Sequence, residues 1–581
     1  MRRPAHVTLH ALNALRRRVR SSETWFLGLA VVVGMLGGLT AIGTGEFARW
    51  LQRILFDLDP GEHLSAAGSI SPWRLLALPL GGAVLGLALW LTRKRTPIDI
   101  VEATALHGGR IPPRDTVTVV GQTVLSNGFG ASVGLEAAYA QAGGGIASFV
   151  GERFKLRRND LRTLVAAGAG AAISAAFGAP LTGAFYAFEI VLGAYTPPAI
   201  APVMAASIVA AVTARSIGAP PYVIAAGGTH GATTADYALC AVLGLVCALV
   251  GIALMRLVSM AEVAVRRSPI PRPLAPILGG LLLIPLGMVT PQALSAGHGA
   301  LNLTLISQVT ALSLVTVLGL KIAASAISLG FGFRGGLFFA SLFLGALVGR
   351  LYQLVLAQFP ELHALAAVDA TIVGMAALAV AVVGGPMTIA LLVLEVTHDF
   401  AITGVAILAA MISTTVVRVT FGYSFSTWRL HLRGETIRSG RDIGWMRNLT
   451  AGRLMRRDPR MVRATTTLGV FRTLFPLGST SRVVLTGIDD QYQGIVRTAD
   501  VWSSTLAEEA PVAQLATLTD TALSPEMHIG TIMETFDASE ADDLAVVGED
   551  GHVIGLITER HARKRYAEEL EKAQRDLFGE D

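Results

Sequence analysis

The amino-acid sequence predicts an all-helical polytopic membrane protein built from two inverted repeats, followed by a soluble α/β region. Three observations support this prediction. The 581 residues are 52% hydrophobic and only 15% charged, which is typical of polytopic membrane proteins and not of soluble globules. One glycine-rich motif occurs twice, at 128–138 and at 330–340. From residue 429 onward, the composition becomes that of a soluble domain.

The chain opens with a basic segment, residues 1–24, ahead of its first apolar span. A second basic run, 93–95, follows the second span, so the positive-inside tendency places both on the cytoplasmic side. We expect apolar spans at about 25–44 and 73–92 to form an out-and-back hairpin in the inner membrane of a bacterium. The formal net charge of +5 is small for this length and argues against nucleic acid as a partner.

The first repeat signal is the glycine-rich motif. Residues 128–138 read G-F-G-A-S-V-G-L-E-A-A, and residues 330–340, 202 positions later, read G-F-G-F-R-G-G-L-F-F-A. Only the first copy carries a carboxylate, because Glu136 stands where the second copy has Phe338.

A second repeat signal has nearly the same spacing. G-A-P-L-T at 178–182 leads to Glu189, and G-G-P-M-T, 206 positions later, leads to Glu395. We therefore take residues of about 70–220 and 270–425 as duplicated halves, which insert with opposite topology if each crosses the membrane an odd number of times. Because both halves carry the glutamate, we expect a structural hydrogen-bonding role for it, in preference to proton transfer.

Glycine-rich breaks at corresponding places of two apolar halves indicate a transport site built from discontinuous helices. A helix N-terminus presents unpaired N–H groups and the positive end of the helix dipole, so two such ends can form an anion site without a cationic side chain. Lys321, just before the second motif, either biases the local field toward anions or is a lysine bonded to carbonyl groups.

The soluble region contains a repeat of its own. R-V-V-L-T at 482–486 and D-L-A-V-V at 543–547 each begin a pattern of strand, turn, strand and helix. We predict a linker at 429–450, a pair of modules at 451–565 and a charged tail at 566–581.

These motifs resemble the CLC family of chloride channels and chloride/proton antiporters, with a C-terminal pair of cystathionine-β-synthase-type (CBS) domains. G-L-E-A-A at 134–138 resembles the family's G-[K/R]-E-G-P segment, whose glutamate gates the pore. G-L-F-F-A at 336–340 resembles its G-x-F-x-P segment, whose amides hold the central anion. The resemblance implies a CLC-like membrane domain over residues 25–428 and an anion site formed by these residues: Gly134, Leu135, Glu136, Ala137, Gly336, Leu337 and Phe338.

The sequence also departs from the family pattern. A central serine is absent from 95–98, where Thr96 is the nearest hydroxyl. The family's pore tyrosine falls at Ser426 in a gap-free match, with Tyr423 nearby. The second glutamate that antiporters often carry on the inner proton path is replaced by Ile190.

The resemblance implies a homodimer in the lipid bilayer that conducts chloride or a similar small anion and is gated by Glu136. Because Ile190 cannot carry a proton, we expect an uncoupled channel, with chloride/proton antiport as the alternative. A CBS-regulated cation transporter would need acidic rings or oxygen cages, for which the repeats hold too few acids. We expect no enzyme activity, since the sequence contains no H-E-x-x-H motif, and we expect no cofactor or metal.

The CBS pattern implies a candidate nucleotide site at Asp500 and Thr558. In each copy, however, one of the two ribose-binding positions is replaced, by Arg497 in the first and by His561 in the second. We therefore expect a platform that stabilises a dimer, in preference to a nucleotide sensor.

Overall fold

The computed structural model describes residues 16–19, 22–92, 97–219, 233–306, 309–359, 366–422, 424–425, 428 and 449–578. The chain divides into two compact units, Met1–Arg441 and Asp442–Asp581. In the described part of the chain, seven helices are long and apolar enough to cross a membrane. Several shorter apolar helices lie between them, as the glycine-punctuated sequence predicts.

The first unit begins with a helix longer than the predicted span. Helix α1 covers Glu23–Phe56, beyond the 25–44 that we expected, and short 3₁₀ turns follow it at Leu64–Ala66 and Pro72–Leu76. The first repeat then comprises these helices: α2 Ala77–Leu91, α3 Ile100–Leu106, α4 Pro113–Gly128, α5 Glu136–Arg153, α6 Arg158–Phe177, α7 Pro180–Tyr186 with a π-helical extension Ala187–Leu192, and α8 Pro197–Ser216.

A long helix, α9 Thr234–Arg267, leads into the second repeat. The second repeat reproduces the order of the first: α10 Ala275–Val289, a 3₁₀ turn Pro291–Ala293, α11 His298–Ile306, α12 Ala311–Gly330, α13 Phe338–Leu356, α14 Ala367–Val383, α15 Pro386–Thr397 and α16 Phe400–Thr420. Thus α5 corresponds to α13 and α7 to α15, in agreement with the two motif spacings.

Small residues bring the central helices of each repeat into close contact. A Cβ on Gly168 of α6 would overlap the carbonyl oxygen of Gly143 in α5, and Gly374 of α14 stands in the same relation to Gly345 in α13. In a membrane, where lipid is as apolar as a side chain, such close backbone packing is a main source of helix association. The two pairs hold α5 against α6 and α13 against α14 at backbone contact distance.

The two halves are also joined by reciprocal helix caps. The Glu395 carboxylate accepts hydrogen bonds from the backbone N–H groups of Leu181 and Thr182 at 2.7 and 2.8 Å, and from the Thr182 hydroxyl at 2.7 Å. Glu189 does the same for Met387 and Thr388, at 3.1 and 2.8 Å, and accepts the Thr388 hydroxyl at 2.7 Å. Each glutamate caps the helix of the opposite repeat, which confirms the predicted hydrogen-bonding role.

The second unit contains two small α/β modules. In the first, β1 Met461–Arg463 pairs parallel with β2 Arg482–Thr486, and β2 pairs antiparallel with β3 Tyr492–Arg497. In the second, β4 Asp543–Val547 pairs antiparallel with β5 Val553–Thr558. Strands β2 and β4 match the sequence prediction residue for residue.

Helices complete the two modules of the second unit. The helices are α17 Ala451–Leu454, α18 Leu468–Leu474, α19 Thr498–Ser503, a 3₁₀ turn Val512–Leu515, α20 Ile529–Ser539 and α21 Glu559–Phe578. An ion pair between Arg482 Nε and Asp543 Oδ2, 3.0 Å apart, links β2 to β4. The final helix continues without a break across 565/566, where we predicted the boundary between the second module and the charged tail.

Candidate anion site

The candidate site forms where the two glycine-rich motifs meet. Helix α5 begins at Glu136 and helix α13 begins at Phe338, the equivalent residues of the two copies. Between the motifs, Gly134 N–H donates to the Gly336 carbonyl at 2.9 Å, and Gly336 N–H donates to the Gly134 carbonyl at 3.3 Å. This two-residue antiparallel bridge holds the two helix N-termini side by side.

The Glu136 carboxylate crosses from the first repeat to the second. Its Oε1 accepts from the backbone N–H of Phe338 at 2.6 Å and from that of Phe339 at 3.3 Å. The residue is only 6% exposed. Hydrogen bonds to a charged acceptor are the strong ones, and the N-terminus of α13 adds the favourable end of a helix dipole. An acidic side chain therefore occupies backbone donors of the kind that a helix N-terminus offers to anions.

The paired glycines leave room for this carboxylate. A Cβ on Gly336 would lie 2.7 Å from Glu136 Oε1, and a Cβ on Gly134 would overlap both carboxylate oxygens. Any side chain at either position would push the carboxylate off the Phe338 and Phe339 amides. The glycines at these two places of the motif are thus explained by the space that Glu136 occupies.

A cavity of about 120 Å³ opens beside the carboxylate. Its walls are mostly apolar, with few polar groups facing it. The ionisable side chains on the lining are Glu136, Asp99, Tyr186 and Arg334. Ile190, the position of the lost relay glutamate, also lines it. The cavity is large enough for one or two small ions, and the amide-bound carboxylate forms part of its wall.

The structure brings most of the predicted anion-site residues together. The predicted residues that line the cavity are Glu136, Ala137, Gly336, Leu337 and Phe338. Gly134 forms the bridge, and Leu135 is the buried residue immediately before α5. Three predicted residues, Thr96, Tyr423 and Ser426, lie outside the described residues.

Sequence reasoning missed several residues of the site, among them Phe339, Asp99 and Tyr186. Phe339 supplies the second amide, and the repeat itself gives the signal, because Phe339 is the counterpart of Ala137 at the spacing of 202. Asp99 and Tyr186 line the cavity although neither belongs to a glycine-rich motif. Their place on the lining depends on how elements distant in the chain pack together.

Lys321 lies in α12 behind the second motif and is fully buried. Its Nζ donates to the backbone carbonyl of Ser295 at 2.6 Å and to that of Ala293 at 3.4 Å. The carbonyl-bonded interpretation is therefore the one that the structure shows. Lys321 is not on the lining of the cavity, so any effect on anions acts through space.

Comparison with known proteins identifies the family. A family model described as voltage gated chloride channel matches residues 88–418, which is more than half of the chain and contains both glycine-rich motifs and both capping glutamates. The chain belongs to the CLC family. A putative chloride channel protein, ClcB-like, from Ralstonia nicotianae is 30% identical over 411 residues, covering 68% of this chain and 94% of that protein. The CLC family is one of anion channels and transporters, and the chain is a multi-pass integral membrane protein.

Solved structures agree on the fold. A slow cyanobacterial Cl⁻/H⁺ antiporter superimposes with a TM-score of 0.60 at 24% identity, over 70% of this chain and 97% of that one. A eukaryotic CLC transporter superimposes with a TM-score of 0.59 at 16% identity and covers 92% of this chain and 97% of its own. At these identities the likeness concerns the fold alone. It confirms the CLC architecture of two related helical halves.

A CBS-domain model matches residues 512–568 in the second unit. At the candidate nucleotide residues, Asp500 Oδ2 pairs with Arg497 Nε at 2.8 Å, and the Thr558 hydroxyl accepts from the backbone N–H of His561 at 3.1 Å. Both groups that the CBS pattern assigns to ribose are thus engaged by the residues that replace their usual partners. The local contacts favour a structural role for this unit, which remains a prediction.

Proposed function

We propose that this CLC protein transports chloride or a similar small anion through the cavity beside Glu136, and that Glu136 is the gate. One observation carries the proposal. The carboxylate of Glu136 sits on the backbone amides of Phe338 and Phe339, which are the donors that a helix N-terminus offers to any anion. The gate is therefore a tethered anion that competes with the transported anion for one site.

Competition gives the gate its chemistry. A protonated Glu136 has no charge to pair with the amides, so proton binding favours its release and leaves the amides to an incoming anion. A high anion concentration acts in the same direction by mass action. Flux should therefore rise on acidification and with anion concentration, and both effects should depend on Glu136.

We propose uncoupled conduction as the mode of transport. Tight exchange of anions for protons requires a protonatable chain from the inner solution to Glu136. Ile190 lines the cavity at the position where antiporters of the family often carry the relay glutamate, and its side chain cannot hold a proton. The neighbouring Glu189 is engaged in capping Met387 and Thr388, which favours a structural use of that carboxylate.

A second candidate, chloride/proton exchange, is favoured by a different observation. Asp99 lines the same cavity as Glu136 and Ile190, so a carboxylate is present on the path although it is not at the usual position. Tyr186, on the same lining, adds a hydroxyl. In this alternative, Asp99 supplies the proton that Ile190 cannot.

The experiment that separates the two candidates measures both ions at once. The purified protein is reconstituted in liposomes with a chloride gradient, the membrane potential is clamped at zero, and chloride and pH are recorded together. Dissipation of chloride without proton movement supports the channel. Proton movement against its own gradient, in a fixed ratio to chloride, rejects the channel in favour of exchange.

We further propose that the protein is a homodimer with one pore per subunit in a bacterial inner membrane, with the N terminus and the CBS unit in the cytoplasm. The basic runs at 1–24 and 93–95 support this orientation. Cross-linking in membranes and accessibility labelling of single cysteines, introduced at each end of α1, test the two statements separately.

A further inference from the structure

Asp99 is a second carboxylate on the cavity wall, and the proposed gating by Glu136 does not account for it. It stands immediately before α3, and its Oδ1 accepts a hydrogen bond from the backbone N–H of Glu102 at 2.9 Å. Asp99 is partly buried and lines the same cavity as Glu136. The capping bond holds the Asp99 carboxylate in place. Its charge therefore stays on the cavity wall while the Glu136 carboxylate binds to and leaves the amides of Phe338 and Phe339.

The surroundings of Asp99 hold both signs of charge. The lining of the same cavity also includes Glu136, Tyr186 and Arg334, and the Arg334 guanidinium donates to the Gln122 side-chain oxygen at 3.2 Å. On the adjoining segment, Asp115 Oδ2 accepts from the backbone N–H of Ile98 at 3.2 Å. Glu102, a further acidic residue, lies in the first turn of α3, the helix that Asp99 caps. When Glu136 leaves its amides, Asp99 is the carboxylate that an anion in the cavity meets on the wall.

We propose that Asp99 is a second, inner gate, whose ionised carboxylate opposes the entry of anions into the cavity and whose protonated form admits them. The proposal rests on the proposed function of anion transport, and it holds for a channel and for an exchanger alike. A like charge at about 10 Å across a medium of effective dielectric near 20 disfavours anion occupancy roughly tenfold. Acidic side chains along a pore select against anions for the same reason.

A merely structural role makes a different prediction. If Asp99 only caps α3, asparagine should replace it with little effect, since asparagine is as good an N-cap residue as aspartate. Asp99→Asn keeps the oxygen that accepts from Glu102 and removes the charge. Asp399 is the matched control, because it caps α16 in the same way, accepting from Ala401 and Ile402, and does not line the cavity.

The test uses the full-length protein in liposomes and measures chloride efflux from about pH 3 to about pH 7.5, a range that includes the ordinary pKa of carboxyl groups, about 4. The background is Glu136→Gln, which removes the titration of the first gate. We expect this variant to retain a component of flux that rises with acid, and the double variant Asp99→Asn/Glu136→Gln to lose that component. At neutral pH the double variant should carry roughly tenfold more chloride than Glu136→Gln alone.

The inference is overturned if adding Asp99→Asn leaves flux and its pH dependence unchanged, or lowers the flux, in protein with an unaltered melting temperature. Asp399→Asn in the same background should change neither quantity. Asp99→Ser, which also caps a helix well, provides a second uncharged variant should the asparagine protein fold poorly. If Glu136→Gln and the wild type both carry no anion, the proposed function fails as well. If Glu136→Gln conducts and Asp99 has no effect, only the inner gate is refuted.

Discussion

Replacing Glu136 by glutamine tests the proposed gate at the carboxylate that contacts the amides of Phe338 and Phe339. Glutamine keeps the length of the side chain and an oxygen that can accept from Phe338 and Phe339, but it carries no charge. If the carboxylate competes with the transported anion for those amides, as we propose, its neutralisation should open the site. Anion flux should not fall, and most of its pH dependence should disappear, with Asp99 as the source of any remainder.

The size of the effect follows from the two hydrogen bonds. Bonds to a charged acceptor contribute roughly 1 kcal/mol more than neutral ones, so two of them favour the closed position by about 2 kcal/mol over the glutamine form. That difference corresponds to roughly a 30-fold change in the ratio of closed to open gates. Glu136→Ala, which removes the tethered acceptor altogether, should open the site at least as far.

The assay is chloride efflux from liposomes at several pH values, with the oligomeric state checked by size-exclusion chromatography. Glu152→Gln is the control, since Glu152 is an exposed glutamate near the other end of the same helix, α5. Its flux and pH dependence should match those of the wild type. Abolition of flux by Glu136→Gln in an intact assembly would mean that the carboxylate is structural and that the competition argument is wrong.

Three further predictions concern the parts around the gate. Gly336→Ala should mimic neutralisation of Glu136, because its Cβ would lie 2.7 Å from the carboxylate oxygen; a pH profile like that of the wild type would contradict this. Glu395→Gln, or Glu189→Gln, should leave one helix N–H without its acceptor, cost about 1–3 kcal/mol and lower the thermal unfolding midpoint, while the pH dependence of flux stays. Adenine nucleotides should not shift the unfolding midpoint of the protein; a concentration-dependent rise would establish a binding site.

The repeat made much of the site predictable from the sequence. Two copies of one motif, of which only one carries a glutamate, already place Glu136 opposite the amide of Phe338. The same spacing points from Ala137 to Phe339, so the second donor was available to sequence reasoning and was missed. Motif order and spacing can be read directly from the sequence, and both copies of the duplicated segment retain them.

The residues that sequence reasoning did not find depend on packing between elements distant in the chain. Asp99 precedes a seven-residue helix, and in the sequence it looks like an ordinary capping residue, which it also is. Its position on the cavity lining depends on how α3 packs against other elements of the fold, which the local sequence does not encode. A single residue with both a local and a tertiary role gives a sequence signal for the local role alone.

Comparing the two pairs of equivalent positions gives a reason why only one repeat carries the proposed gate. At Glu189 and Glu395 both repeats keep the carboxylate. Each of these glutamates caps a helix of the other repeat, so the contact is symmetric and both carboxylates are engaged. At Glu136 and Phe338 only one carboxylate remains. Two carboxylates there would face each other across the Gly134–Gly336 bridge and repel, and each would occupy the amides of the other repeat, leaving none for an anion. With phenylalanine in the second repeat, one set of amides is contested by a single charge, which can leave.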